Sequence, residues 1–482
     1  MPPSPEATAS PDPSEPSTPQ SLPPLLGPFD AVALVVGSII GSGIFLKVDT
    51  IASAMGSFLP ILAVWLAGGV AALCGSLSVA ELSAMLPHAG GPYVYLRHAY
   101  GRQTAYLWGW IEFTVVRTGS MGSLSCATVI YFNRFLESLE QQGVLPAGIA
   151  EIVPLPHAAQ GLLTILAVFT LSLINIVGTR WAAWTQNLTT MIKVTFLGFL
   201  MTAPFLLGKG NSENLQPLTP AAIDFDFWRA FGLAMVAVFW PYDGWINICS
   251  VAEEIRQPQR NVPLGLAIGI LAVIVIYVGT NVGYHLMLPM AHIQRTGTVA
   301  ADAMGALIGN WGATVAALGV AFSTFGALNS NLLTGPRVYF AMARDGLIFE
   351  RIGRVHATFR TPAHAIAVQA LWSLVLIAAV FGLVEQPKQA FDRLTDFVVL
   401  GATLFFALTV AAVFVLRRRA PDLPRPYRTW GYPATPIIFL LSVGIVVGTL
   451  VMTSPWQVLT VGGLLAAGCV AYRFTSGRTP SS

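Results

Sequence analysis

Charged residues are scarce in this sequence, since Asp, Glu, Lys and Arg make up only 10% of its 482 residues. A soluble globular chain carries about 25% charged residues. Hydrophobic residues make up 54% of the sequence instead, so the composition predicts a protein embedded in a lipid bilayer. The net charge of +3 gives no reason to expect nucleic acid or another polyanion as a partner.

Cysteine and histidine are also few, with four and seven residues respectively. The cysteines lie in or at the end of apolar stretches, where buried free thiols are ordinary, so no disulfide is expected. The histidines lie mostly at the ends of apolar stretches or in loops and form no H-E-x-x-H pattern. We therefore expect neither an enzyme nor a bound metal or cofactor.

The first 28 residues, 1–28, are rich in proline and serine and contain no apolar core. They cannot form a signal peptide, and their composition predicts a disordered tail. The longest loop expected in the rest of the chain, 133–157, is too short to fold alone. The sequence therefore predicts no soluble domain.

Continuous apolar runs of about 20 residues, the length of a helix that crosses a bilayer, occur repeatedly along the chain. The predicted fold class is an all-α integral membrane protein with twelve transmembrane helices. The predicted spans, numbered one to twelve, are 29–53, 58–85, 104–132, 158–178, 181–207, 228–250, 262–289, 311–342, 363–384, 391–416, 434–452 and 455–473.

The distribution of basic residues predicts the orientation of the chain. Of the 26 Lys and Arg residues, seventeen fall on the side of the termini, seven on the opposite side and two, Arg117 and Lys193, within the membrane. Loops rich in Lys and Arg stay in the cytoplasm. We therefore expect both termini in the cytoplasm and the protein in the plasma, or inner, membrane.

Two of the spans are predicted to be interrupted. The stretch VVGSIIGSGIF, 35–45, places three glycines and two serines in span one, and FWPYDGW, 239–245, places Pro241 and Gly244 in span six beside Asp243. The interruptions lie about 200 residues apart, each in the first span of a five-span block. Matched interruptions are typical of inverted-repeat transporters with a midplane site. Close packing at the glycines and a plain proline kink are the alternatives.

An unwound segment exposes amide N–H groups at one half-helix and carbonyls at the other. The zwitterion of an α-amino acid matches this arrangement. We expect its carboxylate on the amides around Ser42 and Gly43. We expect its ammonium on carbonyls near Ile39, Ile40 and Trp240. The predicted substrate-binding residues are Ile39, Ile40, Gly41, Ser42, Gly43, Trp240, Tyr242 and Asp243.

Several stretches resemble the amino acid–polyamine–organocation (APC) permeases, close to the L-type and bacterial amino acid permeases among them. GSIIGSGIF is similar to their first-span motif, and the match covers nearly the whole chain after residue 28. The other similar blocks are VAELSAMLPHAGGPYVYLRHAYG (79–101), YDGWINICSVAEEIRQPQRNVP (242–263), GALNSNLLTGPRVYFAMARDGLIF (326–349) and RPYRTWGYP (425–433).

The resemblance implies the LeuT-like fold, with inverted five-helix repeats at 29–207 and 225–416 and two extra helices within 434–473. It implies sodium-independent secondary transport of amino acids, by exchange or by proton-linked uptake. A receptor that binds amino acids on the same fold without transporting them is the alternative. A channel is not expected, because the sequence offers no repeated selectivity filter or pore-lining ring.

Lys193 lies near the middle of span five, about 15 Å from either membrane interface. A lysine stem is too short to reach the interface from there, and a central lysine costs roughly 2.5–3.5 kcal/mol on insertion scales, so it should face the protein interior. The resemblance implies a coupling role, in which the ammonium replaces the sodium ion of sodium-coupled relatives and bridges spans one and eight. A lysine that only faces a water-filled cavity is the alternative.

Two residues of the second interruption have open roles. Asp243 can bind a proton, contact the substrate ammonium or cap the second half-helix. The resemblance aligns Trp240 with the aromatic residue that closes over the substrate in the family, and the alternative is an aromatic that fills a helix interface. Because the predicted pocket has no acidic residue other than Asp243, neutral substrates are favoured over cationic ones.

Arg117, at the centre of span three, needs a buried partner. Glu112 precedes it by five residues and is expected on another face of the helix, so the sequence does not identify that partner.

The resemblance also raises the question of whether this chain pairs with a second subunit. L-type members in animals are joined to a single-span glycoprotein through a cysteine in the loop after span three. The stretch 133–157 contains no cysteine. We expect no disulfide-linked heavy chain, and the expected partners are the amino acid substrate and the lipid bilayer.

Overall fold

The computed structural model of the chain describes residues 22, 24–385 and 387–476. Most of the predicted disordered tail lies outside these residues. Its last part is packed rather than free, because the Leu26 amide donates a 2.9 Å hydrogen bond to the Glu254 carbonyl. The first helix then begins at Pro28.

Every predicted span corresponds to a helix or to a broken helix in the described residues. Eight spans are continuous, and their helices are Phe58–Met85, His157–Val177, Thr179–Leu206, Pro258–Met287, Ala363–Leu383, Pro387–Arg419, Ala434–Thr453 and Pro455–Ser476. Four spans are interrupted, and their pieces are Pro28–Ile39 with Gly43–Leu46 and Val48–Met55, Arg102–Ile111 with the π-helix Glu112–Val116 and Arg117–Gln141, Phe225–Phe239 with Asn247–Ser250, and Asn310–Thr334 with Pro336–Arg344.

Ten helices of the described part are long and apolar enough to cross a membrane. Predicted spans three and six are not among these ten. Span three contains many polar residues, Glu112 and Arg117 among them, and the main helix of span six, Phe225–Phe239, has only 15 residues. The chain is therefore a multi-pass helical membrane protein, and the count of twelve spans stays a prediction.

The spans differ in how much of their apolar surface is covered by protein. Spans one, two, eight and ten are mostly buried, whereas spans four, nine, eleven and twelve have less than a third of their most apolar stretch buried inside the protein. Exposed apolar residues are stable against lipid but not against water. The broken span one therefore lies inside the bundle, and the exposed spans form its lipid-facing wall.

Spans five positions apart in the chain pack against each other. Span three runs along span eight, with a 2.8 Å hydroxyl contact between Thr128 and Thr324. Span two runs along span seven, and His157 of span four lies 3.1 Å from the Phe381 carbonyl of span nine. This five-span offset is the packing that two five-helix repeats would give, although the division into repeats stays a prediction.

We name the two ends of the bundle by the termini. The amide of Leu22 donates to Glu253, which pairs with Arg344 at 3.6 Å. Arg344 in turn lines one cavity together with Thr475, which lies next to the last described residue. The two ends of the described chain therefore lie at the same end of the bundle. The end that carries these residues is called the inner end below, and the opposite one is the outer end.

Candidate functional site

The first interruption lies where the sequence predicts it. The helix that begins at Pro28 ends at Ile39, and helical structure resumes at Gly43. Within the described residues, no protein group accepts a hydrogen bond from the amides of Gly41, Ser42 or Gly43. Three buried N–H donors are thus left unpaired next to each other, which is rare in proteins unless a ligand or water satisfies them.

The second interruption follows the helix Phe225–Phe239 and continues as turns to residue 246. Gly244 adopts a φ of +105°, a conformation that side chains other than hydrogen disfavour. The Asp243 carboxylate accepts a 2.7 Å hydrogen bond from the Gly244 amide. This bond lies within the turn and does not cap the second half-helix, which begins at Asn247 after Ile246; the other roles considered for Asp243 stay predictions.

The two interruptions touch each other along their backbones. A Cβ atom built on Gly43 would lie 2.5 Å from the Cα atom of Pro241, and one built on Gly244 would lie 2.7 Å from the Ser38 carbonyl oxygen. Only glycine permits contacts this close. The Trp240 indole N–H also donates to the Ser42 hydroxyl oxygen at 3.1 Å. The tertiary structure thus brings together the two stretches that the sequence pairs.

A hydroxyl from span seven joins the two interruptions from behind. The Tyr277 hydroxyl lies 3.0 Å from both the Ile39 and the Pro241 carbonyl oxygens. A hydroxyl has one proton, so it donates to one of these two carbonyls at a time. Tyr277 is fully buried and was not singled out by the sequence analysis.

A cavity of about 30 Å³ lies between the interruptions. This volume holds about one or two water molecules, so a ligand as large as an amino acid requires the helices to separate. Six of the eight predicted substrate-binding residues line it, namely Ile39, Gly41, Ser42, Gly43, Trp240 and Asp243. The other lining residues are Ser38, Ser120, Leu124, Gly244, Asn247 and Asn331.

The other two predicted residues do not line this cavity. The Ile40 carbonyl, expected near the substrate ammonium, instead accepts a hydrogen bond from Lys193. Tyr242 lines a separate small cavity with Gly68 of span two and Phe439 of span eleven. In this conformation, Ile40 supports the site from behind and Tyr242 points away from it.

Lys193 is fully buried and binds the end of the first half-helix. Its ammonium donates to the carbonyls of Gly37 at 3.0 Å and Ile40 at 2.6 Å. Both bonds go to span one, so the expected bridge from the ammonium to span eight is not present. A contact between the Ser38 and Ser330 hydroxyls connects these two spans instead. The lysine therefore neutralises carbonyls that carry the negative end of the helix dipole.

The expectation that Glu112 and Arg117 lie on different helix faces is wrong. Residues Glu112–Val116 form a π-helix, whose i→i+5 repeat brings residues five apart onto one face. Glu112 Oε1 accepts from Arg117 Nε at 2.9 Å and from Nη2 at 2.5 Å. Both side chains are buried. The partner of Arg117 is therefore the residue that an ideal α-helix would have directed elsewhere.

The remaining Arg117 donors reach two other spans. Nη1 donates to Asn331 Oδ1 at 2.7 Å, and Nη2 donates to Asn247 Oδ1 at 3.0 Å. Both asparagines line the cavity between the interruptions. Arg117 thus forms part of the support of the candidate site and connects spans three, six and eight. A polar residue inside an apolar span needs a partner, which is the sequence signal that could have singled out these asparagines.

An ion pair closes the site toward the outer end. Lys47 follows the short helix Gly43–Leu46, and its ammonium lies 3.0 Å from Asp392 of span ten. The same ammonium lies 5.3 Å from the centre of the Phe391 ring. That ring packs edge-on against Trp240, with 6.1 Å between the ring centres. Span ten thereby covers the outer side of both interruptions.

A second ion pair closes the inner end. Glu254, just after span six, accepts from Arg337 Nε at 2.8 Å and from Nη2 at 3.1 Å. Both residues are only 1% exposed. A bidentate pair of this geometry holds two groups in a defined orientation. The cavity is therefore closed at both ends in this conformation.

Comparison with known proteins gives one family and a set of transporters. The profile of the family described as "Amino acid permease" matches residues 26–470. The serine/threonine exchanger SteT of Bacillus subtilis (strain 168) is 31% identical over 431 residues, which cover 89% of this chain and 91% of that protein.

Two human proteins are similar at lower identity. The b(0,+)-type amino acid transporter 1 of Homo sapiens is 28% identical over 469 residues, covering 95% of this chain and 89% of that protein. The cystine/glutamate transporter of Homo sapiens is 28% identical over 398 residues, covering 82% and 74%.

Proposed function

Because the chain belongs to the amino acid permease family, we propose that its site binds neutral α-amino acids and transports them without sodium. Secondary amino acid transport is the activity that the family and the similar transporters support. The observation that carries the site assignment is the set of three unpaired amides at Gly41, Ser42 and Gly43. Adjacent amide donors in a buried position bind a carboxylate.

The substrate ammonium then faces carbonyls of both interruptions. Ile39 lines the cavity, and its carbonyl shares the single Tyr277 proton with the Pro241 carbonyl, so it has a lone pair left for a further donor. The Trp240 carbonyl accepts from the Asp243 amide in the same way. A zwitterion thus finds donors on one interruption and acceptors on both.

The substrate side chain points toward spans three and eight. Ser120, Leu124 and Asn331 line that part of the cavity. None of them is charged, and the only lining carboxylate, Asp243, is occupied by the Gly244 amide. We infer a preference for small neutral side chains that form hydrogen bonds. The serine/threonine exchanger among the relatives supports this preference.

Closure at both ends supports transport by alternating access rather than binding alone. The outer pair, Lys47 and Asp392, and the inner pair, Glu254 and Arg337, can open one at a time. A receptor of the same fold would bind substrate without moving it. No observation favours that alternative.

The organisation of the chain follows from this proposal. Residues 29–207 and 225–416 form the two inverted repeats, 434–473 the two extra helices, and both termini lie in the cytoplasm. The five-span packing offset supports the repeats, and the excess of Lys and Arg near the inner end supports the orientation in the plasma membrane.

The test is uptake of a radiolabelled amino acid into proteoliposomes that contain the purified chain. A panel of unlabelled competitors should rank serine, threonine and alanine above arginine, lysine and glutamate. A requirement for internal amino acid would identify exchange, and stimulation by an inward proton gradient would identify proton-linked uptake. Saturable binding without accumulation would instead support the receptor alternative.

A further inference from the structure

A second and larger cavity, of about 760 Å³, lies at the inner end and away from the two interruptions. Its walls come from spans three, eight, nine and twelve, which contribute Tyr106, Tyr339, Val368 and Thr475 among others. Protein interiors contain few voids larger than a water molecule. A gap of this size, in the range of ligand cavities, calls for an occupant.

The walls indicate an apolar occupant. Trp110, Phe113, Met342 and Ile348 line the cavity. Two of its walls, spans nine and twelve, have less than a third of their most apolar stretch buried inside the protein, so they border the hydrocarbon of the bilayer. The occupant therefore reaches the cavity from the lipid phase, and an acyl chain has the matching chemistry.

Charged residues at the rim of this cavity, at the inner end, restrict the charge of its occupant. Its two lining carboxylates are already paired, Asp345 with Arg97 and Glu350 with Arg354. Arg344 also lines the cavity, with 32% of its side chain exposed. Arg351, next to Glu350, forms no ion pair within the described residues.

The balance of charges at this rim is +1 when the lining groups are counted together with their ion-pair partners and with Arg351, which follows Glu350 but does not itself line the cavity. Arg97, Arg344, Arg351 and Arg354 then stand against Glu253, Asp345 and Glu350. Basic pockets next to apolar cavities at this depth bind anionic lipid headgroups. The charge and the apolar walls thus point to one molecule with both properties.

We propose that this cavity binds an anionic glycerophospholipid of the cytoplasmic leaflet. One acyl chain fills the apolar cavity, and the phosphate lies at Arg344 and Arg351. Zwitterionic lipid and water are the other possible occupants, and the experiment below separates them.

The cavity is connected to the transport site through one wall. Phe113 belongs to the π-helix that places Glu112 beside Arg117. Its ring packs edge-on against Tyr339 at 5.2 Å and stacks on Trp372 at 6.1 Å. A bound acyl chain packs against the same ring, so it stabilises the π-helix that supports the substrate cavity. Transport should therefore depend on the lipid.

Lipid retention tests the site without relying on transport. The chain is purified from bilayers of phosphatidylcholine and phosphatidylglycerol, and retained lipid is identified by native mass spectrometry. We expect one phosphatidylglycerol per chain. Val368→Trp, which fills the cavity, should lose it, whereas Leu441→Trp, at an exposed position of span eleven outside the cavity lining, should retain it. Retention of phosphatidylcholine instead, or of no lipid, would overturn the proposal.

The headgroup contact has its own variant. Arg351→Gln should weaken phosphatidylglycerol retention about fivefold, the change that about 1 kcal/mol per arginine gives. Arg428→Gln removes an exposed arginine that neither lines the cavity nor adjoins a lining residue in the sequence, and it should have no effect. Equal retention by both variants would show that the phosphate does not bind here.

The dependence of transport on lipid is measured with the same proteins. The unchanged chain should transport several-fold faster in vesicles with phosphatidylglycerol than in phosphatidylcholine alone. Val368→Trp should transport at the same rate in both. A lipid that is retained without any effect on rate would overturn the link to the π-helix, and this result is distinguishable from a chain that does not transport at all.

Discussion

At the residue scale, we propose that the Lys193 ammonium takes the place that a sodium ion would otherwise hold in this site. Its ammonium already places a positive charge at the Gly37 and Ile40 carbonyls, and this charge repels a second cation. Replacing external sodium by choline should leave uptake unchanged. Lys193→Ala should lower turnover at least tenfold, because each hydrogen bond from a charged donor contributes about 1.5–3 kcal/mol.

Two further lysine variants sharpen this test. Lys193→Arg keeps the charge but has a larger, forked head group, so it should be partly defective. Lys209 also donates to a backbone carbonyl, that of Leu307, but outside the site. Lys209→Ala should therefore transport normally. Uptake that needs a sodium gradient, or normal turnover in Lys193→Ala, would contradict the coupling role.

The buried pair of Glu112 and Arg117 should behave as a unit. Arg117→Gln leaves the Glu112 carboxylate buried without its cation, which costs about 3–5 kcal/mol. The double variant with Glu112→Gln removes both charges and should recover part of this loss. Thermal unfolding in detergent measures the stability of Arg117→Gln, of Glu112→Gln and of the double variant. Losses that simply add in the double variant would show that the two charges do not interact.

At the scale of the helices, Gly43 keeps the two interruptions in contact. The sequence analysis expects Gly43→Val to block the ligand while the fold is kept. The structure adds a second effect, because the new side chain would meet the Pro241 backbone. We therefore expect loss of substrate binding together with lower thermal stability, measured by radioligand binding and unfolding in detergent.

Gly444 provides the matched control for this variant. It lies in span eleven, where a Cβ atom would meet nothing within 4 Å. Gly444→Val should leave binding unchanged. A Gly43→Val protein with normal affinity would show that the contact between the interruptions is not needed for the site.

Each of the two ion pairs should control access to the cavity from one side only. Loss of the inner pair should open the cavity to the inner side, and loss of the outer pair should open it to the outer side. A cysteine at Ser120, which lines the cavity, is introduced into a chain without its native cysteines. Arg337→Gln should speed its labelling by an impermeant thiol reagent from the inner side, because the pair with Glu254 is lost. Lys47→Gln should speed labelling from the outer side.

Each of these gate variants controls for the other, since general unfolding would speed labelling from both sides. Equal labelling from both sides in either variant would mean that the pair stabilises the fold rather than closing one end.

At the scale of the whole molecule, we expect the chain to work alone. The stretch 133–157, which holds the end of span three and the loop after it, has no cysteine, so a covalent heavy chain has no attachment point there. The purified chain in proteoliposomes should transport at the same rate per molecule as the chain in native membrane vesicles. Activity that returns only after a co-purifying protein is added would contradict this expectation.

Local composition explains what the sequence could predict by itself. Glycines and a proline weaken a helix wherever they stand, so both interruptions were readable from short stretches. Apolar runs predict spans through their length alone. A lysine in the middle of such a run must face the interior, so the importance of Lys193 followed as well.

The tertiary structure decided which groups meet. Arg117 binds Asn331 and Asn247, which lie 214 and 130 residues away in the chain. No local rule connects residues this distant. Its bond to Glu112 depends on a π-helix, which is rare and is stabilised by packing rather than by local propensity. Tyr277, Asn247 and Asn331 joined the site for the same reason, since each is recruited by the way whole spans pack.

The sequence thus determined where the backbone opens and which charge lies beside the opening, because these depend on residue types within one span. Only the tertiary structure decided that the Ile40 carbonyl belongs to Lys193 and that Tyr242 points away from the cavity. The physical reason is that a hydrogen-bonding group binds the partner that folding brings nearest, and that partner comes from another span.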